Sequence, residues 1–338
     1  MRHFCTYFDI RYLSRALVLY RSLERYCPSF TLWMLCMDDE AHAALKTLAL
    51  PSVRPISLGE FEDGDTALVS VKKDRTVIEY YFTSTPSLPR FIFRASEEPD
   101  MITYLDADMC FFSDPELLFD EIGGASIALI EHRFPPALKD RERAGRFNVG
   151  WVSFRRDATG LAAIEWWRER CLEWCYDRVE DGRCADQKYL DDWPKRFGNV
   201  CVVSHKGANL APWNIANYKL GVDNGTVIVD GEPLVFCHYH GLKHIAGSLY
   251  DVGLGSYKVK MSRFMRERLY LPYVQKLVEA EESLADVAAV HQDRGTLRGT
   301  IAGGKDPLKR LYHLLFRVIL PRNYLRVPHR IGTKPSAS

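Results

Sequence analysis

Net charge is the first thing this sequence lacks. Among 338 residues, 45 Lys and Arg stand against 44 Asp and Glu, a net of +1. A domain made for general nucleic-acid binding would be strongly basic, so no nucleic-acid partner is expected. Long apolar runs are missing too: no stretch approaches the roughly 18 apolar residues of a membrane-crossing helix. The opening residues, MRHFCTYFDI, read as a strand rather than as a charged segment followed by an apolar h-region, so export is not expected. There is no CxxC pair. The nine cysteines (Cys5, Cys27, Cys36, Cys110, Cys171, Cys175, Cys184, Cys201 and Cys237) are scattered and odd in number. Cys171 and Cys175, four apart on an expected helix, have the spacing of a ligand pair. The whole set fits reduced, mostly buried thiols in the cytosol better. The chain has no internal repeat.

What is present is ordinary for a globular protein, with 47% hydrophobic and 26% charged residues. At roughly 150 residues per domain the length suggests about two domains or one large one, enough to bury a sizeable core. The near-zero net charge hides an asymmetry. Lys305 to Ser338 carries eight Lys and Arg against one acid, Asp306. Residues 1–304 keep 37 basic and 43 acidic groups, a net of −6. A slightly acidic body thus carries a basic tail.

Strands and helices alternate from the start. His3–Phe8 reads as a strand and Arg11–Tyr26 as a helix ended by Cys27-Pro28. Thr31–Met37, Glu40–Leu48 and Val53–Ile56 continue as strand, helix, strand. This alternation predicts an α/β fold with a mostly parallel central sheet and helices on both faces. Residues 59–90 have no clear period until a helix from Ser87 to Ser96. Met101–Leu105, Ser126–Ile130 and Val149–Phe154 read as buried strands, and Gly160–Asp177 as a long helix in which Trp166, Trp167 and Trp174 pack. Short strands are expected at Val200–Val203, Thr226–Val229 and Leu234–Cys237, and helix over 261–290. Thr296–Gly304 reads as a linker.

The chemistry centres on Ile102-Thr103-Tyr104-Leu105-Asp106-Ala107-Asp108. An apolar strand delivers two carboxylates at its C-terminal end, where open α/β sheets bind ligands. Residues i and i+2 of a strand point to one side, so Asp106 and Asp108 are expected to face one ion. Two hard oxygen ligands suit Mg²⁺ or Mn²⁺, which would also take diphosphate oxygens.

The longer segment LDADMCFFSDP resembles the DxD segment of nucleotide-sugar glycosyltransferases with the GT-A fold, in particular glycosyltransferase family 8. Other segments resemble that family in the same order. They are Asp9 and Tyr12, Ser84 and Arg90, Phe147-Asn148-Val149-Gly150, Asp186-Gln187, and Phe236–Lys243 (FCHYHGLK). The resemblance implies a GT-A fold over most of the chain. It implies that Asp106, Asp108 and His238 bind the metal, and that Thr6, Tyr7, Asp9 and Tyr12 hold the nucleoside beside Ala107. Arg90 and Lys243 would neutralise phosphate and sugar-facing charge. Asn148, Asp186 and Gln187 would sit by the transferred sugar. Family 8 enzymes retain anomeric configuration. Glu131, at the end of the next strand, is the candidate carboxylate near the anomeric carbon, and Gly207–Asn214 (GANLAPWN) a candidate sugar-facing loop.

Two departures stand out. Lys243 follows Gly241 by two residues where the family has three, and His240 competes with His238 as ligand. His favours Mn²⁺ over Mg²⁺. The expected activity is a metal-dependent hexosyl transfer from a nucleoside-diphosphate sugar, a UDP-hexose, to a glycan or lipid-linked acceptor, with retention. One alternative is a non-catalytic, membrane-associated sugar-nucleotide binder. Another is a haloacid-dehalogenase-type phosphatase, disfavoured because Cys110 stands where that family needs Thr or Ser.

The expected division is a catalytic domain over 1–260, with a nucleotide-binding half 1–115 and an acceptor half 116–260. A helical extension and linker follow over 261–304, then a basic amphipathic tail over 305–338. In Pro307–Arg330 apolar residues recur at helical spacing with Lys309, Arg310, Arg317, Arg322 and Arg326 between them. This pattern describes an interfacial helix, the alternative being a helix packed on the body or on a partner. It predicts a cytoplasmic protein, peripheral on the inner face of the plasma membrane.

Overall fold

The computed structural model describes residues 1–285, residue 287 and residues 323–327. The strands are β1 Arg2–Phe8, β2 Phe30–Cys36, β3 Val53–Ser57, β4 Met101–Leu105, β5 Met109–Phe111, β6 Ile127–Glu131, β7 Phe147–Arg155 and β8 Val200–Val203. Helices α1 Leu13–Tyr26, α2 Asp39–Leu48, α3 Leu58–Glu62, α4 Thr66–Lys72, α5 Val77–Ser84, α6 Ser87–Ala95, α7 Glu116–Ile122 and α8 Ala158–Glu173 lie between them. Seven strands form the central sheet in the order β3-β2-β1-β4-β7-β6-β8. Only β7 runs antiparallel to the rest. The α/β class with a mostly parallel sheet is therefore as the sequence reads.

Strand parity divides the core. In β2, Leu32, Met34 and Cys36 face α1 and α2, while Trp33 and Leu35 face the layer of α3 to α6 and α8. Both faces are covered, which is why β2 reads as an unbroken apolar run. Local signals set the helix starts. Asp38 caps α2, its carboxylate accepting from Ala41 N at 2.7 Å. Thr76 and Glu79 form a reciprocal capping box at α5. That box lies in the stretch without a clear period, which folds as three short helices, α3 to α5. Helix α8 stops at Glu173 rather than Asp177, because Trp174 turns extended with φ −153° and ψ 118°. Trp167 and Trp174 are buried as packing residues.

Beyond β8 lie β9 Leu220–Asp223, β10 Thr226–Val229, β11 Glu232–Pro233, β12 Phe236–His238, β13 Lys243–Ala246 and β14 Leu249–Asp251. Helix Leu271–Leu284 packs on α1, sharing its core through Tyr273, Leu277 and Leu284. No separate core forms beyond residue 260 among the described residues. The amphipathic helix read over Pro307–Arg330 lies mostly outside the described residues. Its described part corrects that reading: Tyr324–Arg326 is a strand, β15, paired antiparallel with β14. Backbone pairing and the burial of Tyr324 and Leu325 win there over helical spacing. Among the described residues, no helix is long and apolar enough to cross a membrane.

Leu325 is fully buried in that added strand. Leu325→Ala is expected to lower the free energy of unfolding by about 2–4 kcal/mol, read as a shift in the urea midpoint. An unchanged midpoint would remove β15 from the folded core.

Candidate active site

The sheet brings β4 to its end at Leu105, and the chain then turns. Met109 N donates to Asp106 O at 3.3 Å, closing a tight turn before β5. The extended i, i+2 geometry expected for the two carboxylates therefore does not hold. They converge because the backbone folds back between two strands. Strand β12 pairs antiparallel with β5, His238 opposite Met109, and Tyr239 N donates to Asp108 O at 3.0 Å. This pairing sets His238 Nε2 3.0 Å from Asp108 Oδ1 and 3.5 Å from Asp106 Oδ2.

The surrounding groups fix these side chains. Tyr104 Oη donates to Asp106 Oδ1 at 2.9 Å. His238 Nδ1 lies 3.3 Å from Asn148 Oδ1. An amide oxygen only accepts, so Nδ1 carries a proton. Burial lowers the pKa of the imidazole, but Nε2 faces the carboxylates, and the charge of Asp108, the hydrogen bond to it and the charge of Asp106 raise it on balance. Asn148 Nδ2 in turn lies 3.4 Å from His132 Nε2. Burial pushes His132 down to about 3, so this imidazole is neutral. Burial raises the Asp108 carboxyl, but the charge of His238 and the hydrogen bond to it outweigh burial and hold Asp108 at about 2. Asp106 is pushed up, by burial and by Asp108, against the pull of His238.

Asp108, His238 and His240 each offer one ligand atom, all within 4.8 Å of one another. With Asp106 this is a donor set of carboxylate oxygens and imidazole nitrogens without thiolate, which fits Mn²⁺ or Mg²⁺. Room for it depends on Gly150. A Cβ there would lie 2.6 Å from Met109 Cε, 2.7 Å from Asn148 Oδ1 and 3.0 Å from Asp106 Oδ2.

Asp106, His238 and His240 of this cluster line a cleft of about 670 Å³. Of the residues expected from sequence, Tyr7, Asp106, Asn148, Asp186, Gln187 and His238 line it. Ala107 is buried in the turn between the two carboxylates. Tyr7 Oη lies 3.2 Å from Thr85 Oγ1. Gln187 Nε2 donates to Ala144 O at 3.3 Å. Asp186 is buried, and burial above all lifts its carboxyl to about 7, with Asp106 adding to the rise. In the GANLAPWN loop, the Trp213 ring stands 5.0 Å from His238 and 5.5 Å from His240.

Other expected residues lie elsewhere. Thr6 shares a parity with Phe4 and Phe8, so it faces α1, wholly buried, its hydroxyl without a hydrogen-bond partner. Asp9 is taken up by Arg11 and by Tyr81 Oη at 3.2 Å. The Tyr12 ring packs under Arg15, whose guanidinium carbon lies 4.3 Å from the centroid. Ser84 Oγ donates to Tyr80 O within its own helix. Arg90 sits on α6 against α8, with Nε 2.6 Å from Glu165 Oε1. Glu131 pairs with Arg146. Lys243 is exposed at the start of β13, after Gly241 turns the chain at φ +74°. None of these seven lines the cleft.

His132, Arg141, Arg143 and Tyr257, which do line it, were missed. His132 was legible in part, since it takes the opposite side from its neighbour Glu131. The bulge that aims Asn148 inward, a register shift between Leu129 and Ile130 against β7, left no mark in the sequence.

Two outcomes are expected. In metal-free protein, Asp186 deprotonates at about 7 when folded, against an ordinary value of 3.8. Its cost therefore grows as pH rises through that window and is complete above it. Asp186→Asn should be more stable than the parent at about pH 8, by up to about 4 kcal/mol, and nearly equal at about pH 3, by urea unfolding in chelator. A constant difference would contradict the buried carboxyl. Gly150→Ala should keep its circular dichroism yet weaken Mn²⁺ affinity by about 10-fold or more. Unchanged affinity in titration calorimetry would separate Gly150 from the metal cluster.

No model of a known protein family matches this chain. Among curated proteins it is 32% identical over 278 residues to the uncharacterized protein YfnD of Bacillus subtilis (strain 168), covering 81% of this chain and 88% of the relative. It is 30% identical over 251 residues to YfnF of the same organism, covering 72% and 82%. Among solved structures, the galactosyltransferase LgtC in complex with donor and acceptor sugar analogs matches with a TM-score of 0.50 and 19% identity, over 71% of this chain and 87% of that one. An active-site mutant of LgtC matches with a TM-score of 0.50 and 16% identity, over 83% and 95%. The chain therefore belongs to the family of the Bacillus subtilis proteins YfnD and YfnF, and its fold is the GT-A type, resembling glycosyltransferase family 8.

Proposed function

We propose that this protein is a metal-dependent glycosyltransferase that moves a hexose from a nucleoside-diphosphate sugar, a UDP-hexose, to a glycan or lipid-linked acceptor with retention. The observation that supports this reading is that His238 Nε2 lies 3.0 Å from Asp108 and 3.5 Å from Asp106, while Asp108, His238 and His240 offer ligand atoms within 4.8 Å of one another. Asp106, Asp108 and His238 would hold the divalent cation, Mn²⁺ before Mg²⁺, with His240 as a further donor. Bound there, the cation would act as a Lewis acid toward the charge of the departing diphosphate.

The chain's own groups do the rest. Asn148 holds the His238 tautomer that leaves Nε2 a donor atom, and Tyr104 orients Asp106. Arg141 and Arg143 line the cleft while Arg90 is held by Glu165. They, rather than Arg90 and Lys243, are proposed to offset diphosphate charge. Asp186 and Gln187 stand at the cleft wall where the transferred sugar would lie. Glu131 is engaged by Arg146, so no base is assigned there, in keeping with attack on the face the diphosphate leaves. A place on the inner face of the plasma membrane remains part of this proposal.

The test is a thermal-shift panel of UDP, GDP, CDP and dTDP sugars with and without Mn²⁺. One nucleotide should raise the midpoint selectively and only with metal. Asp108→Asn should lose that shift and sugar transfer while keeping the circular dichroism of the parent, with its own unfolding midpoint lowered by loss of the His238 pair. A response of that variant equal to the parent would defeat the metal assignment.

A further inference from the structure

Large apolar side chains are unevenly exposed on this protein. Eight are exposed among the described residues. Three of them fall within ten residues on α4 and α5: Val69 at 43%, Val77 at 63% and Ile78 at 45%. A fourth, Val179 at 48%, lines the cleft, as does Phe82. Scattered apolar residues on a surface need no explanation, but a contiguous group marks a contact site.

The group is continuous with the cleft. Ile78 and Phe82 are four apart on α5 and so lie on one helix face. The segment bearing Val179 is anchored to the same helix. Asp177 N donates to Glu79 Oε1 at 3.0 Å, and the Arg75 guanidinium carbon lies 4.1 Å from the Tyr176 ring centroid. Phe82 and Val179 thus give the cleft an apolar edge, and the exposed Ile78 extends it one turn along the same face of α5, with the exposed Val77 beside it in the chain.

We propose that this apolar strip receives the hydrocarbon part of the acceptor. The acceptor is then an amphiphile, its polar head in the cleft and its chain along α5. This rests on the glycosyl-transfer reading of the cleft. Charge favours this occupant over a bilayer. Around the strip Lys72 is paired with Glu62 and Arg178 with Glu180, and Lys73 is followed in the chain by the exposed acid Asp74. That surface has no basic excess to draw an anionic leaflet. A strip that starts on the cleft wall also suits a ligand that starts there.

The experiment uses the full chain and a matched pair of probes, methyl β-D-glucopyranoside and octyl β-D-glucopyranoside, the latter below its micelle concentration. Ligand-observed NMR titration should show the octyl compound binding tighter by at least about fivefold. The double variant Val77→Ser, Ile78→Ser should reduce that preference to under about twofold, with UDP binding in Mn²⁺ unchanged. Equal binding of the two probes by the parent overturns the proposal, as does a preference that survives the double variant. Pelleting with phosphatidylcholine vesicles, or dimerisation in sedimentation velocity, that is abolished by the double variant without any chain preference would also overturn it. Those outcomes assign the strip to a bilayer or a second copy. Failure of UDP to bind with Mn²⁺ would sink the glycosyl-transfer reading separately, because the probe titration needs no donor.

Discussion

Three residues of backbone pairing, β12 against β5, hold the candidate site together. That short antiparallel ladder, extended by Tyr239 N donating to Asp108 O, carries an imidazole from far along the chain to two carboxylates at the end of β4. Neither strand is stable alone, since two short strands bury too little. Both are buried in the core that α1 and helix Leu271–Leu284 complete. The geometry of the cluster is therefore inherited from packing on one face of the sheet. Removing His238 would leave Asp108 buried beside Asp106 without its counter-charge, the costly way to break a buried pair.

The site is electrostatically unfinished as its side chains stand. Asp106 and Asp108 approach one imidazole, and Asp186 waits nearby with its carboxyl lifted by burial. A divalent cation would relieve the first two, and a polar sugar could bond the third. Such unfinished clusters mark functional sites more often than structural ones, although ion-pair networks shift pKa values too. Phe82 of α5 and Val179 also line the same cleft, so apolar side chains adjoin its polar groups.

Much of the fold could be read in the sequence, because period-2 burial in β1, β2 and β4 and helical spacing in α1 and α2 are local patterns with local causes. The stretch 58–84 was opaque for an equally physical reason. Its three helices are short, and only their caps, such as Thr76 with Glu79, announce them. The site was legible in its motifs: Asp106, Asn148, Asp186, Gln187 and His238 line the cleft, and Asp108 bonds His238. It was illegible where parity or packing decided direction. Thr6 turns under α1, Arg90 is drawn to Glu165, and Glu131 yields its place at the cleft to His132. The C-terminal reading failed at Tyr324–Arg326 because an edge strand offered by β14 outweighed helical spacing.

By itself, the sequence determined which residues are apolar at which period, and hence the layered sheet, and it placed two acids after β4 and a histidine after a late strand. Those are properties of neighbours along the chain. Tertiary structure alone decided that Asp106 and Asp108 converge through a turn, that the β7 bulge aims Asn148 at His238, and that Gly150 leaves them room. These depend on how separate strands pair and which atoms then compete for the same space, and no single segment encodes that.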